Sequence, residues 1–134
     1  MVRAWAVGFV ILLTVDVMVV IATIIEVYPR VLWLLLQISP FVAAFISAYL
    51  SPRKKVLVGT SMAIPAAILG VVVTFLYQLF GKAVDFPGLK GGLILLEVSI
   101  IYGLILCVLG GTLGYLITRK KAMTTERSEG QKEQ

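Results

Sequence analysis

The stretch VGFVILLTVDVMVVIATIIEVYP, residues 7–29, decides how the whole chain is read. It is an apolar run long enough to cross a bilayer, for which ~20 residues at 1.5 Å per residue suffice. Asp16 stands about ten residues from either end of the run, where a carboxyl group is most difficult to solvate. An aspartate at the centre of a spanning helix costs ~2.5–3.5 kcal/mol. The same stretch holds fourteen Val, Ile, Leu and Phe residues, each contributing at best ~0.3–0.6 kcal/mol, so ~4–8 kcal/mol in total. The run can still insert with its aspartate in place.

The rest of the chain has the same character. Of its 134 residues, 60% are hydrophobic and 14% charged, and the mean hydropathy is +1.02. A soluble domain of this length cannot bury so much apolar surface, so lipid is the solvent for most of it. Four apolar runs follow one another, at about 4–25, 31–50, 56–80 and 91–118. Only helices and closed barrels satisfy their backbone in lipid, and these runs are too long for barrel strands. The connections are short, so sequential helices are antiparallel neighbours. The fold class expected is an all-α integral membrane protein, a four-transmembrane-helix antiparallel bundle over residues 1–118. The first run is longer than a signal-peptide core and lacks a small-x-small cleavage site, so it reads as a retained span. The polar, mixed-charge segment 119–134 is expected to be a disordered cytoplasmic tail.

Charge orients the bundle. Arg3, Arg53, Lys54, Lys55, Arg119, Lys120 and Lys121 fall on one side, against Arg30, Lys82 and Lys90 on the other. Seven against three in short loops predicts both termini inside, N-in/C-in, in the cell's inner (cytoplasmic) membrane. The net charge of +5 is therefore a topology signal, and nucleic acid is not an expected partner.

Asp16 is the leading candidate for an ion or proton path. No Lys or Arg lies at its depth in any run, so the neutral acid, hydrogen-bonded to Ser39 or to a backbone carbonyl, is the cheaper form to bury. Two prolines lie near that level. Pro40 removes the hydrogen bond to the carbonyl of Leu36, and Pro65 does the same for Ser61, so both predict kinks. Along helix one Phe9, Leu12, Asp16, Val19, Thr23 and Glu26 share a face. Thr23 extends the polar line outward, and Glu26 with Glu97, Arg30, Lys82, Asp85 and Lys90 suggests a charged outer vestibule. Tyr102 lies deeper, where its hydroxyl needs a partner, a backbone carbonyl or the Asp16 network, whereas Trp5, Tyr28, Trp33, Tyr49, Tyr77 and Tyr115 read as an interfacial belt.

Helices in lipid approach one another through small residues. Gly103, Cys107, Gly111 and the Gly110-x-x-x-Gly114 pair supply them in helix four, Gly59, Ala63, Ala67 and Gly70 in helix three, and Ala44 and Ala48 in helix two. Helix four has more glycine than one neighbour needs, so a homo-oligomer or a larger membrane complex is an open expectation beside the lipid bilayer.

Chemistry is sparse. There is no His, and Cys107 is the single cysteine. This leaves no Cys/His metal or haem site, no membrane redox pair and no general-base histidine. No G-x-S-x-G elbow or phosphate-binding loop is present, and no cofactor is expected. In size, span number and central acidic residue the chain resembles the small multidrug resistance transporters, which are dimeric proton-coupled exporters. It has Asp where those have Glu, lacks their helix-three tryptophan and has longer third and fourth helices, so no site residue is carried over. The function expected is non-enzymatic: an interaction or accessory subunit of a membrane assembly. The alternative is an oligomeric proton- or cation-coupled transporter or channel built on Asp16.

Overall fold

The computed structural model describes residues 1–25, 30–80 and 88–130, and every regular element among them is helical. Helix α1 spans Val2–Ile24, α2 Arg30–Leu50, α3 Lys55–Thr60, α4 Ala63–Leu79 and α5 Gly88–Gly130. Three stretches are long and apolar enough to cross a membrane: Val2–Ile24, Lys55–Leu79 and Leu96–Met123. A shorter apolar helix, Leu34–Leu50, accompanies them. Threonines inside the helices hide their hydroxyls on the preceding turn. Thr14 donates to the Val10 carbonyl at 2.7 Å, Thr74 to Gly70 at 2.9 Å and Thr118 to Gly114 at 2.6 Å. Each such bond lets a polar side chain sit in an apolar medium.

Two boundaries differ from the sequence reading. The third run, expected as one span at 56–80, is broken at Ser61–Met62 into α3 and α4. Pro65 has no N–H to give to Ser61, and the ladder tightens there, with the Met62 N–H bonded to Gly59 at 3.1 Å. The last helix continues twelve residues beyond Thr118, to Gly130, through the segment expected to be a disordered tail. Arg119, Lys120, Lys121, Ala122 and Met123 are all strong helix formers, so nothing stops the helix at the polar boundary. Its 43 residues extend ~65 Å at 1.5 Å per residue, about twice a hydrocarbon core of ~30 Å, so part of it stands outside any bilayer.

The helices pack in a ring. α1 lies against α2 and α4, while α5 lies against α2, α3 and α4, leaving α1 and α5 at opposite corners. One apolar cluster joins all sides: Leu12 from α1, Ala43 and Ala44 from α2, Met62 and Ala63 at the α3–α4 break, and Cys107 from α5. Around it, the glycines of α5 touch backbone directly. A Cβ on Gly110 would run into the carbonyl of Phe41, and one on Gly114 would stand 2.8 Å from the carbonyl of Phe45. Gly111 turns to α3, where Gly59 meets it so closely that a Cβ on Gly59 would be 2.7 Å from the Gly111 Cα. Gly103 is looser: its missing Cβ would stand 3.7 Å from the nearest atom of Ala63. The apparent surplus of glycine in α5 thus serves two neighbours within the chain.

Candidate functional site

The buried face of α1 is a stripe of small and polar side chains. Ala4, Gly8, Leu12, Asp16, Val19, Ala22 and Thr23 point inward, whereas Val10, Leu13, Val17, Met18 and Ile21 are exposed. This is the pattern a lipid solvent demands: the outer face is apolar, and the inner face holds whatever lipid would reject. Leu12, Asp16, Val19 and Thr23 therefore lie on one buried face, as their spacing predicts. Phe9 is only half-buried and stacks instead on Trp5, with ring centroids 5.5 Å apart. Glu26 lies outside the described residues, as do Lys82 and Asp85 of the suggested vestibule.

Asp16 is 7% exposed. It stands one turn above Leu12, which is locked into the core cluster, and two turns below Thr23. Its expected partner is engaged elsewhere. Ser39 is also buried, but its hydroxyl donates to the Leu36 carbonyl at 2.9 Å, the acceptor that Pro40 leaves without an N–H. Among the described residues Asp16 has no hydrogen-bond partner. Nor does Tyr102 reach it, since Tyr102 is 49% exposed on the outer face of α5. Glu97 is exposed on the same helix, and Arg30 and Lys90 are exposed at the ends of theirs. The proposed polar line is therefore short, running from Asp16 to Thr23 and no further along Ser39 or Glu97.

Thr23 closes it. Its Oγ1 bonds the Val19 carbonyl at 2.8 Å and the hydroxyl of Tyr77, on α4, at 2.9 Å. Tyr77 reads from sequence as a belt residue, and only the packing of α1 on α4 brings it to Thr23. The Cys107 thiol lies 3.4 Å from the Pro40 carbonyl, placing the lone cysteine as a small packing residue against that turn of α2. Ser47 was not singled out from sequence. It is fully buried opposite Gly8, and its hydroxyl has no hydrogen-bond partner among the described residues. A serine among alanines carries no sequence signal that would have shown this.

No acid or base among the described residues is hydrogen-bonded to Asp16, and a lone carboxyl has little chemistry of its own. Among the described residues no group of three or more His, Cys, Asp or Glu side chains is placed to hold a metal. Two concavities are described, one of about 750 Å³ and one of about 440 Å³, and neither includes Asp16. The fold and its site define a class: a multi-pass α-helical membrane protein with one buried carboxyl on an inward stripe. Comparison with protein-family models, curated proteins and solved structures finds no match to this chain, so the architectural likeness to small multidrug transporters carries no residue role.

Proposed function

We propose that this chain is a small non-enzymatic membrane protein that works as an interaction or accessory subunit of a membrane assembly. It crosses the cell's inner membrane four times with both termini in the cytoplasm. The charge asymmetry supports that orientation, and the 21 residues of α2 support a fourth crossing at ~30 Å of helix length. The observation that carries the functional reading is the closed setting of Asp16. The one chemically unusual side chain is buried on a stripe between packed helices and away from both concavities. A scaffold needs such a group constant, whereas a transporter needs it wetted and changing protonation.

One observation favours the transport reading. Asp16 has no hydrogen-bond partner among the described residues, so no bond holds it in one state. Carbodiimide labelling of Asp16 in native-like membranes, read by peptide mass spectrometry from about pH 5 to about pH 9, separates the two. An accessory subunit leaves Asp16 unlabelled throughout, its Asp16→Asn variant inserts normally, and a larger membrane protein co-purifies at fixed stoichiometry. Labelling that is strong in acid and fades as pH rises would make Asp16 an accessible, titrating group and would replace the accessory reading with proton-coupled transport.

A further inference from the structure

We propose that the end of the bundle bearing Arg53, Lys54 and Lys55 binds an anionic diacyl phospholipid, with the headgroup phosphate at those side chains and one acyl chain in the groove between α3–α4 and α5. The inference is independent of the accessory reading.

The groove has a volume of about 750 Å³ and is walled by Leu57, Ile64 and Ile68 on one side and by Leu96, Ile100 and Leu104 on the other. Two hydroxyls line it, and both are already engaged: Thr60 donates to the Val56 carbonyl and Ser61 to the Val58 carbonyl, each at 2.8 Å. It therefore presents nothing to a polar ligand and suits a hydrocarbon chain. From Lys55 to Ile68 the wall rises ~20 Å at 1.5 Å per residue, against ~15 Å for half of a 30 Å hydrocarbon core. That is the depth of one acyl chain in one leaflet.

At the polar end the groove meets a second concavity of about 440 Å³, lined by Arg53, Lys54, Lys55 and Tyr115. Val56 and Leu57 belong to the walls of both, so the apolar and basic sites are continuous. Lys54 has φ 49°, a left-handed turn that brings three consecutive basic residues to one mouth. Lys55 gives one donor to the Tyr49 carbonyl at 3.4 Å, and an ammonium group has two more. Among the described residues no carboxylate pairs with these three cations, and the sequence has no acidic residue between Glu26 and Asp85, nor between Glu97 and Glu126. Three cations at the mouth of a chain-deep apolar groove complement a phosphate joined to an acyl chain. A zwitterionic lipid fits the groove equally well and the mouth less well. In the orientation proposed above this mouth faces the cytoplasmic leaflet, where anionic lipid attracts basic segments flanking a span.

The test uses the purified full chain in nanodiscs of phosphatidylglycerol and phosphatidylcholine with identical acyl chains. Retained lipid is read by native mass spectrometry, and acyl-chain contacts by a photoactivatable phosphatidylglycerol. The expected result is a preference for phosphatidylglycerol of about tenfold or more, since each nearby basic side chain contributes about fivefold, with crosslinks on Ile64, Ile68 and Leu104. Replacing Arg53, Lys54 and Lys55 together by Gln should bring the preference close to parity, whereas Lys54→Arg with Lys55→Arg should keep it. Ile64→Trp, which fills the groove without changing charge, should remove the crosslinks at Ile68 and Leu104. Equal retention of the two lipids overturns the proposal. So does a preference that survives the triple glutamine variant, or crosslinks spread evenly over the outer faces of α1, α2 and α5.

Discussion

The two sides of this bundle hold together by different means. On the α2–α3–α5 side, Gly59, Gly110, Gly111 and Gly114 let backbone meet backbone, with Ala44 and Ala48 as the side chains close beside them. On the α1–α4 side the helices meet through the Thr23–Tyr77 hydroxyl bond. Lipid gives apolar faces no reason to associate, so close packing and polar pairing are the two available glues. The seam of glycines is intolerant of any added atom, while the polar side owes little to any one bond.

That contrast orders the expected effects of substitution. Gly110→Val forces two methyl groups against the backbone of α2 and should cost about 3 kcal/mol in reversible unfolding from mixed micelles, the upper range for overpacking. Gly103→Ala, where the new Cβ has 3.7 Å to its nearest neighbour, should stay within about 0.5 kcal/mol. Equal costs at the two positions would show that α5 is not seated as described. Ser39→Ala comes next. It strips the Leu36 carbonyl of its remaining donor and should cost about 1–2 kcal/mol, the range for an orphaned buried acceptor. Thr at position 39 should recover most of that. The smallest effect belongs to the polar side. A double-mutant cycle of Thr23→Val and Tyr77→Phe should return a coupling of about 0.6 kcal/mol, typical of interhelical bonds in membranes. A coupling several times larger would move that side into the same class as the glycine seam.

The two prolines sharpen the same point. Pro40 lies inside α2, which runs on unbroken from Arg30 to Leu50. Pro65 follows a break that divides α3 from α4. At Pro40 the preceding residue is Ser39, whose hydroxyl supplies the carbonyl of Leu36 with the donor that proline lacks. At Pro65 the preceding residue is Ile64, which has none to supply. A hydroxyl immediately before an interior proline thus reaches the carbonyl that the proline orphans, and this much is legible in sequence once the geometry is known.

Other features were legible only in part. The spacing of Leu12, Asp16, Val19 and Thr23 places them on one face of α1 because polar residues in a lipid-spanning helix turn inward. Depth alone suggested Tyr102 as a partner for Asp16, but depth does not say which way a side chain points, and Tyr102 faces outward. The glycines of α5 announce close approach without naming the neighbour. Read against one partner they look surplus and suggest a second chain, yet Gly110 and Gly114 seat α2 while Gly111 seats α3. α5 runs on to Gly130, since composition marks where lipid stops, not where a run of strong helix formers stops.

Sequence by itself determined the solvent and the helical class of this protein, but not where its third run breaks or where its last helix ends. An apolar chain in lipid has no water to satisfy its backbone, so each run must close its own hydrogen bonds as a helix, and basic residues must gather beyond the run ends. Tertiary structure decided the rest: that Ser39 serves Pro40 and not Asp16, that Thr23 finds Tyr77, and that one helix's glycines fill two seams. In lipid both faces of a helix are apolar and periodicity says little about which neighbour lies where. Those pairings depend on the shape of the adjoining helix, which only the packed bundle supplies.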